Sequence, residues 1–262
     1  MSFSGKISDY PIPSAHQFLE AAATGDEVTV RRGLESIDPT VQDLTGKVAK
    51  KVAWKDGYPI GLNALHFACR NSQRGIIEIL LNDKNGKKTL NRKDNDDKTA
   101  IHHLAFRTDA LDLVEKLLKA GAVTDTISQN QTPLSAAAYK GNKAVMELLL
   151  NYERKGTKDI LNLFLFSDVC GVVLEYHENP TINLTSDYGR TPLYWAIDAC
   201  VNGTGGAEQI SLLLEHRANP LQECFYLHND PRITMIEYAR DRVSPEITKL
   251  LEDKAKEIQA TV

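Results

Sequence analysis

The sequence predicts an all-α fold of antiparallel helix pairs stacked into a solenoid. Two observations predict it. The first is that residues 132–150 read as two short helices joined by a turn. Thr132 caps the first helix, and Pro133 takes the first helical position, where no amide hydrogen is needed. Ala136, Ala137 and Ala138 let a neighbouring helix come close, and Gly141 ends the helix by tolerating a positive φ. Val145, Leu148 and Leu149 give the second helix an apolar stripe at three- and four-residue spacing. A unit this small cannot bury its own apolar face, so it needs copies on both sides. The second observation is that the chain supplies those copies.

After a polar N-terminal extension, residues 1–13, a degenerate first unit lies near 16–37, with Phe18 at the Leu134 position and Ala21-Ala22 as the small pair. The second, near 63–82, carries Ala64-Leu65-His66-Phe67-Ala68-Cys69 and then Ile76 to Leu81. The third, near 99–121, carries Ile101-His102-His103-Leu104-Ala105 and then Leu113 to Leu118. The fourth, near 132–152, is the best match to the pattern. A sixth lies near 191–217, with Thr191-Pro192-Leu193, and a seventh near 234–252, with Thr234 and Ile236. The first-helix apolar positions are thus 18, 65, 101, 134, 193 and 236. The step from 134 to 193 is too long for one unit and too short for two full ones. A fifth copy is expected near 158–178, with Ile160 in register and Val172-Val173-Leu174 in its second helix. The last helix has a polar outer face, and residues 253–262 form its end and tail.

The departures from the period are insertions. Between Leu34 and Asn63 the chain contains Lys47, Lys50, Lys51, Trp54, Lys55 and Tyr58, with Asp56-Gly57 as a hairpin turn signal. Residues 82–98 form a second excursion, with Asn85-Gly86 as a turn candidate and a charged tip. Asn202 to Gly206 lengthens the turn inside the sixth unit, and Leu221 to Ile233 lengthens the loop before the seventh.

Composition narrows the function. A formal net charge of −4 gives no global field toward nucleic acid or anionic lipid. No apolar run approaches the ~20 residues that span a bilayer. Cys69, Cys170, Cys200 and Cys224 show no CxxC pairing and read as reduced thiols of an intracellular, cytoplasmic protein. Adjacent His102 and His103 point about 100° apart on a helix and do not share a metal ion readily. Cys69 with His66 has nucleophile-and-base spacing, but Cys69 fills a small-residue core slot, where a thiol is usually inert. The glycine run at 202–206 lacks the lysine and spacing of a phosphate loop. The basic and aromatic residues of 47–58 resemble a nucleic-acid or acidic-partner surface, against the simpler reading of a solvated hairpin. No catalytic residue, cofactor or metal is assigned.

Thr-Pro-Leu-x-x-Ala-Ala, a glycine and then Val-x-x-Leu-Leu, at a period of 33 between Ile101 and Leu134, resembles the ankyrin repeat. The resemblance covers 14–252 as one domain. It implies helix pairs whose loops turn out to β-hairpin tips, and histidines at 66 and 102 that tether loops. It also implies a non-enzymatic scaffold or adaptor, here a monomer, that binds a protein partner on a concave face and the hairpin tips. Nucleic acid and membrane are not expected partners. The variable positions of that face fall on Arg70, Asn95, Asp96, Lys98, Phe106, Arg107, Gln129, Gln131, Tyr139, Lys140, Tyr188 and Arg190, with Trp54 and Tyr58 added from the first excursion. Phe106, Tyr139 and Tyr188 are the expected anchors, because exposed aromatics are costly and frequent at interfaces. The alternative is a pathogen effector or adaptor with a small ligand-binding or catalytic site in the irregular loops, near Arg154 and Lys158.

Overall fold

The computed structural model describes residues 10–43, 47–48, 60–128, 131–152, 181–186, 189–224 and 232–260. It is a series of short helix pairs: α1 (Ala15–Thr24) with α2 (Glu27–Leu34), α3 (Ala64–Arg70) with α4 (Arg74–Asn82), and α5 (Ala100–Ala105) with α6 (Leu111–Lys119). Next come α7 (Pro133–Tyr139) with helical residues 143–152, then α8 (Pro192–Val201) with α9 (Ala207–Glu215). A two-stranded antiparallel ladder, β1 (Glu223–Cys224) and β2 (Ile233–Thr234), leads into α10 (Met235–Ala239) and α11 (Pro245–Ala260). The expected fifth unit near 158–178 lies outside the described residues. So do Asp56-Gly57 and most of the first excursion, of which Lys47 and Val48 are helical.

The chain divides into two compact units, one of Met1–Leu104 with Asp112–Val123, the other of Ala105–Leu111 with Thr124–Val262. In the first, α1 packs on α2 and α3, and α3 on α4. Ser14 caps α1 reciprocally with Gln17, and Asn63 caps α3 reciprocally with His66. The small residues Ala22, Ala64, Ala68 and Cys69 are fully buried, which lets first helices lie close, and Phe18, Leu65, Phe67, Ile76, Leu80 and Leu113 fill the space between layers. Polar side chains tie successive pairs by backbone contacts. Asn71 and Gln73 both donate to the Ala23 carbonyl, at 2.7 and 3.1 Å. Asn91 donates to the Gly121 carbonyl and accepts from the Val123 amide, both at 3.0 Å. The expected turn at Asn85-Gly86 is instead a 3₁₀ helix, Gly86–Thr89: the Asp83 carboxylate accepts from the amides of Asn85 and Gly86 and coils the chain.

In the second unit, Thr132 caps α7 and Thr191 caps α8, each followed by proline at the first helical position. Removing the Thr132 hydroxyl by Thr132→Ala leaves the Ser135 amide of a buried helix end unpaired. We expect a loss of about 1 kcal/mol in urea unfolding, at the middle of the range for N-caps. α7 and α8 lie directly on each other, first helix to first helix, in the most extensive helix contact among the described residues. The sequence places a fifth unit between these two pairs; the structure puts the fourth and sixth in direct contact. Gly141 (φ +65°) sits against the Thr204 carbonyl and Gly205, the Thr204 hydroxyl donates to the Tyr139 carbonyl (3.2 Å), and Gln209 donates to the Gly141 carbonyl (3.0 Å). The glycine-rich turn is therefore a docking element for the end of α7.

The β1–β2 ladder lies in the lengthened loop before the last pair, and Thr234 at its end caps α10 in a reciprocal bond with Glu237. Helix α11 buries Ile247, Leu251 and Ala255 on one side and turns Asp253 and Lys256 outward. It continues to Ala260, so the helix end takes up most of the stretch 253–262. Among the described residues, the chain at the expected hairpin tips pairs through the isolated bridges Asp43–Leu62 and Ser128–Gln131 and through the turn in which the Asp94 amide donates to the Lys98 carbonyl.

Candidate interaction surface

The second compact unit gathers four of the expected partner-binding residues. Phe106 follows α5, Tyr139 ends α7, Lys140 caps it, and Arg190 precedes α8. Their rings and cations form one row, joined by Trp195 of α8. Phe106 and Tyr139 meet edge to face at 6.5 Å and 74°, and Tyr139 and Trp195 at 5.4 Å and 86°. Trp195 in turn meets Tyr194 at 5.3 Å, and Tyr194 stacks on Tyr238 at 4.7 Å. Phe106, Tyr139 and Trp195 are each half-buried, so the row is braced from behind and open in front. Lys140 is exposed and lies over the Phe106 and Tyr139 rings, and the Arg190 guanidinium lies over Tyr194 and Trp195.

Trp195 was missed by sequence reasoning. Its position in the unit is not one of the family's variable positions, and it joins the row because α8 packs directly on α7. Arg107, beside Phe106, is drawn to Asp109 through Nε (3.2 Å), while its carbonyl accepts from Asn142. Gln131 is half-buried and bridges back to Ser128. Gln129, Tyr188, Trp54 and Tyr58 lie outside the described residues, as does the expected pocket region at Arg154 and Lys158.

In the first compact unit, Asn95, Asp96 and Lys98 sit on the turn before α5, and Arg70 at the end of α3. Asn95 is exposed and its amide donates to the Ile60 carbonyl; Asp96 and Lys98 are half-buried and 3.8 Å apart as an ion pair. Behind the turn lies a buried polar cluster. The Asp94 carboxylate accepts from the amides of Asp96 and Lys98 at 2.9 Å through one oxygen and from His103 Nε2 at 2.9 Å through the other. His66 meets the His103 ring edge-on at 5.4 Å, accepts from the Asn63 amide through Nδ1 and donates from Nε2 to the Arg92 carbonyl. His102 Nδ1 accepts from the amide of Thr99. His66 and His103 thus tether the loop before α5, while His102 Nδ1 bonds Thr99 at the start of its own helix, so His102 and His103 diverge to different partners.

Burial, and then the neighbouring His103, push His66 down to about 3. Burial also lowers His103 and outweighs the pull of Asp94. Burial raises Asp94, but its bonds from His103 and the Lys98 amide hold it below the usual carboxylate range overall. The cluster at neutral pH is therefore an ionised Asp94 and two neutral imidazoles. Burial pushes the Cys69 thiol far up, so it is an inert core thiol rather than a nucleophile.

Repeated, mutually capped helix pairs with small-residue interfaces define a helical-repeat protein. A family model described as ankyrin repeats matches three times, over residues 19–128, 65–160 and 111–224, and the chain belongs to the ankyrin-repeat family. It is similar to ankyrin repeat protein nuc-2 of Neurospora crassa, 28% identical over 77% of this chain and 18% of that protein. It is also similar to human inversin, 28% identical over 59% of this chain and 15% of inversin, and to tyrosine-protein kinase HTK16 of Hydra vulgaris, 31% identical over 46% of this chain and 15% of the kinase. The chain spans less than a fifth of the length of these relatives. Ankyrin repeats are generally protein–protein interaction modules, and the family is typically non-enzymatic. No helix among the described residues is long and apolar enough to cross a membrane.

Proposed function

We propose that the chain is a non-enzymatic adaptor, monomeric and cytoplasmic, that binds a protein partner along the row Phe106–Tyr139–Trp195. The observation that carries this reading is the row itself. Three aromatics from three successive described helix pairs are held edge to face, half-buried, with two cations poised over them. Large apolar surface ordered in advance loses little rotamer freedom on binding, which is what makes aromatics and arginine frequent anchors. The free thiols Cys69, Cys200 and Cys224 support a reducing compartment.

A photo-crosslinking amino acid placed at position 106, compared with one at exposed Glu208, identifies the partner in native cells. The purified partner is then titrated against the intact chain and against Phe106→Ala and Tyr139→Ala. We expect each substitution to weaken binding by about tenfold or more, the scale of an interface anchor. Unchanged affinity in variants with an unaltered circular dichroism spectrum would remove the row from the binding surface.

A further inference from the structure

We infer that the segment bound along this row is acidic: an extended peptide that places a carboxylate beside an apolar side chain. The inference rests on the protein-binding reading above and specifies the partner's chemistry. Lys140 Nζ lies 5.8 Å from the Phe106 ring centre and 5.3 Å from that of Tyr139. The Arg190 Cζ lies 5.0 Å from the Tyr194 centre and 5.5 Å from that of Trp195. The negative faces of the rings are already met by the chain's own cations. A cationic ligand would have to displace them against two like charges. A carboxylate finds the opposite situation: positive charge placed in advance by ring contact, next to apolar ring edges that accept its neighbour.

Lys143, one turn on from Lys140, is matched by Glu208 at 2.8 Å. Among the described residues no carboxylate comes within ion-pairing distance of Lys140. Asp198 of α8 is held by the Tyr238 hydroxyl at 2.9 Å and the Asn202 amide at 3.0 Å. Single-stranded nucleic acid also joins negative charge to flat apolar surface, but it needs open ring faces on which bases stack. Here the rings meet edge to face and carry cations on their faces.

The test is fluorescence anisotropy of the full chain with a labelled synthetic peptide in which aspartate alternates with leucine and phenylalanine. Its asparagine and lysine counterparts and a labelled oligouridylate run beside it. The aspartate peptide is expected to bind about tenfold or more tighter than the asparagine one, and Lys140→Gln and Arg190→Gln should each reduce that preference severalfold. Equal binding of the aspartate and asparagine peptides, no binding of either, or tighter binding of the lysine peptide or of oligouridylate overturns the inference. With the crosslinked partner, Lys140→Gln separates the two readings. If Tyr139→Ala abolishes binding and Lys140→Gln leaves it unchanged, the row binds protein but the acidic requirement is wrong. If neither substitution matters, the protein-binding reading of the row has failed.

Discussion

Gly141→Ala is expected to destabilise the protein by about 3–4 kcal/mol, against about 1 kcal/mol for Gly121→Ala. Both glycines have positive φ, +65° at Gly141 and +96° at Gly121, so both substitutions force an L residue into left-handed backbone. The surroundings differ. A Cβ at Gly121 would meet nothing within 4 Å, whereas at Gly141 it would fall 2.1 Å from the Thr204 carbonyl oxygen and 3.0 Å from the Gly205 Cα. Backbone cannot step aside as a flexible side chain can. The turn at 202–206 would have to lift, and with it the bonds from Thr204 to the Tyr139 carbonyl and from Gln209 to the Gly141 carbonyl. Urea unfolding of the two variants beside the parent chain measures the difference. Equal losses would mean that the 202–206 turn does not seat on the end of α7.

The sequence carried the local half of this structure. Thr132-Pro133, Thr191-Pro192 and Ser14 to Gln17 are caps whose chemistry lies within four residues, and each forms as its residues dictate. The small residues that let helices approach, Ala68, Cys69, Ala137 and Ala138, were legible for the same reason: they interrupt an apolar stripe at a fixed place in every unit. Asn85-Gly86 was misread because a dipeptide suited to a hairpin turn also suits the first turn of a 3₁₀ helix, and Asp83 decided between them. What the period could not show was which units touch. Equal spacing implies that each unit packs on the next, whereas here α7 rests on α8 across a gap in register. That single contact brings Trp195 to Tyr139, sets Gly141 on the 202–206 turn and completes the row that Phe106, Tyr139, Lys140 and Arg190 only partly outlined. The bond between Asp94 and His103 was hidden for a related reason. His103 stood out as a neighbour of His102, but its partner lies on a turn whose path depends on the fold.

Acid should destabilise the protein, through the buried histidines of the first compact unit, before its carboxylates titrate. His66 is neutral in the folded chain, pushed down to about 3 by burial and then by His103, against about 6.5 when unfolded. A histidine whose folded value is depressed contributes stability that is complete above its unfolded value and is lost as pH falls below it, because the unfolded chain takes up a proton that the folded chain refuses. At pH 5 that difference amounts to about 2 kcal/mol for His66 alone. His103 acts in the same direction, since burial together with the charges of Arg70 and Lys98 outweighs Asp94 and holds it neutral. Asp94 follows at lower pH. Its contribution is present above the ordinary carboxylate range and is lost only as pH falls through its depressed folded value, when the bonds from His103 and the Lys98 amide lose their acceptor charge. Urea midpoints between pH 7.5 and 5 are therefore expected to fall, most steeply below pH 6.5. His66→Gln should start less stable at pH 7.5 yet lose about 2 kcal/mol less over the same interval, because the titrating ring is gone. Hydrogen exchange adds a local readout, since the amide of Asn63, bonded to His66, should lose protection ahead of that of Ser135 in α7. A midpoint that stays flat from pH 7.5 to 5 would show that these rings are not held neutral in the core.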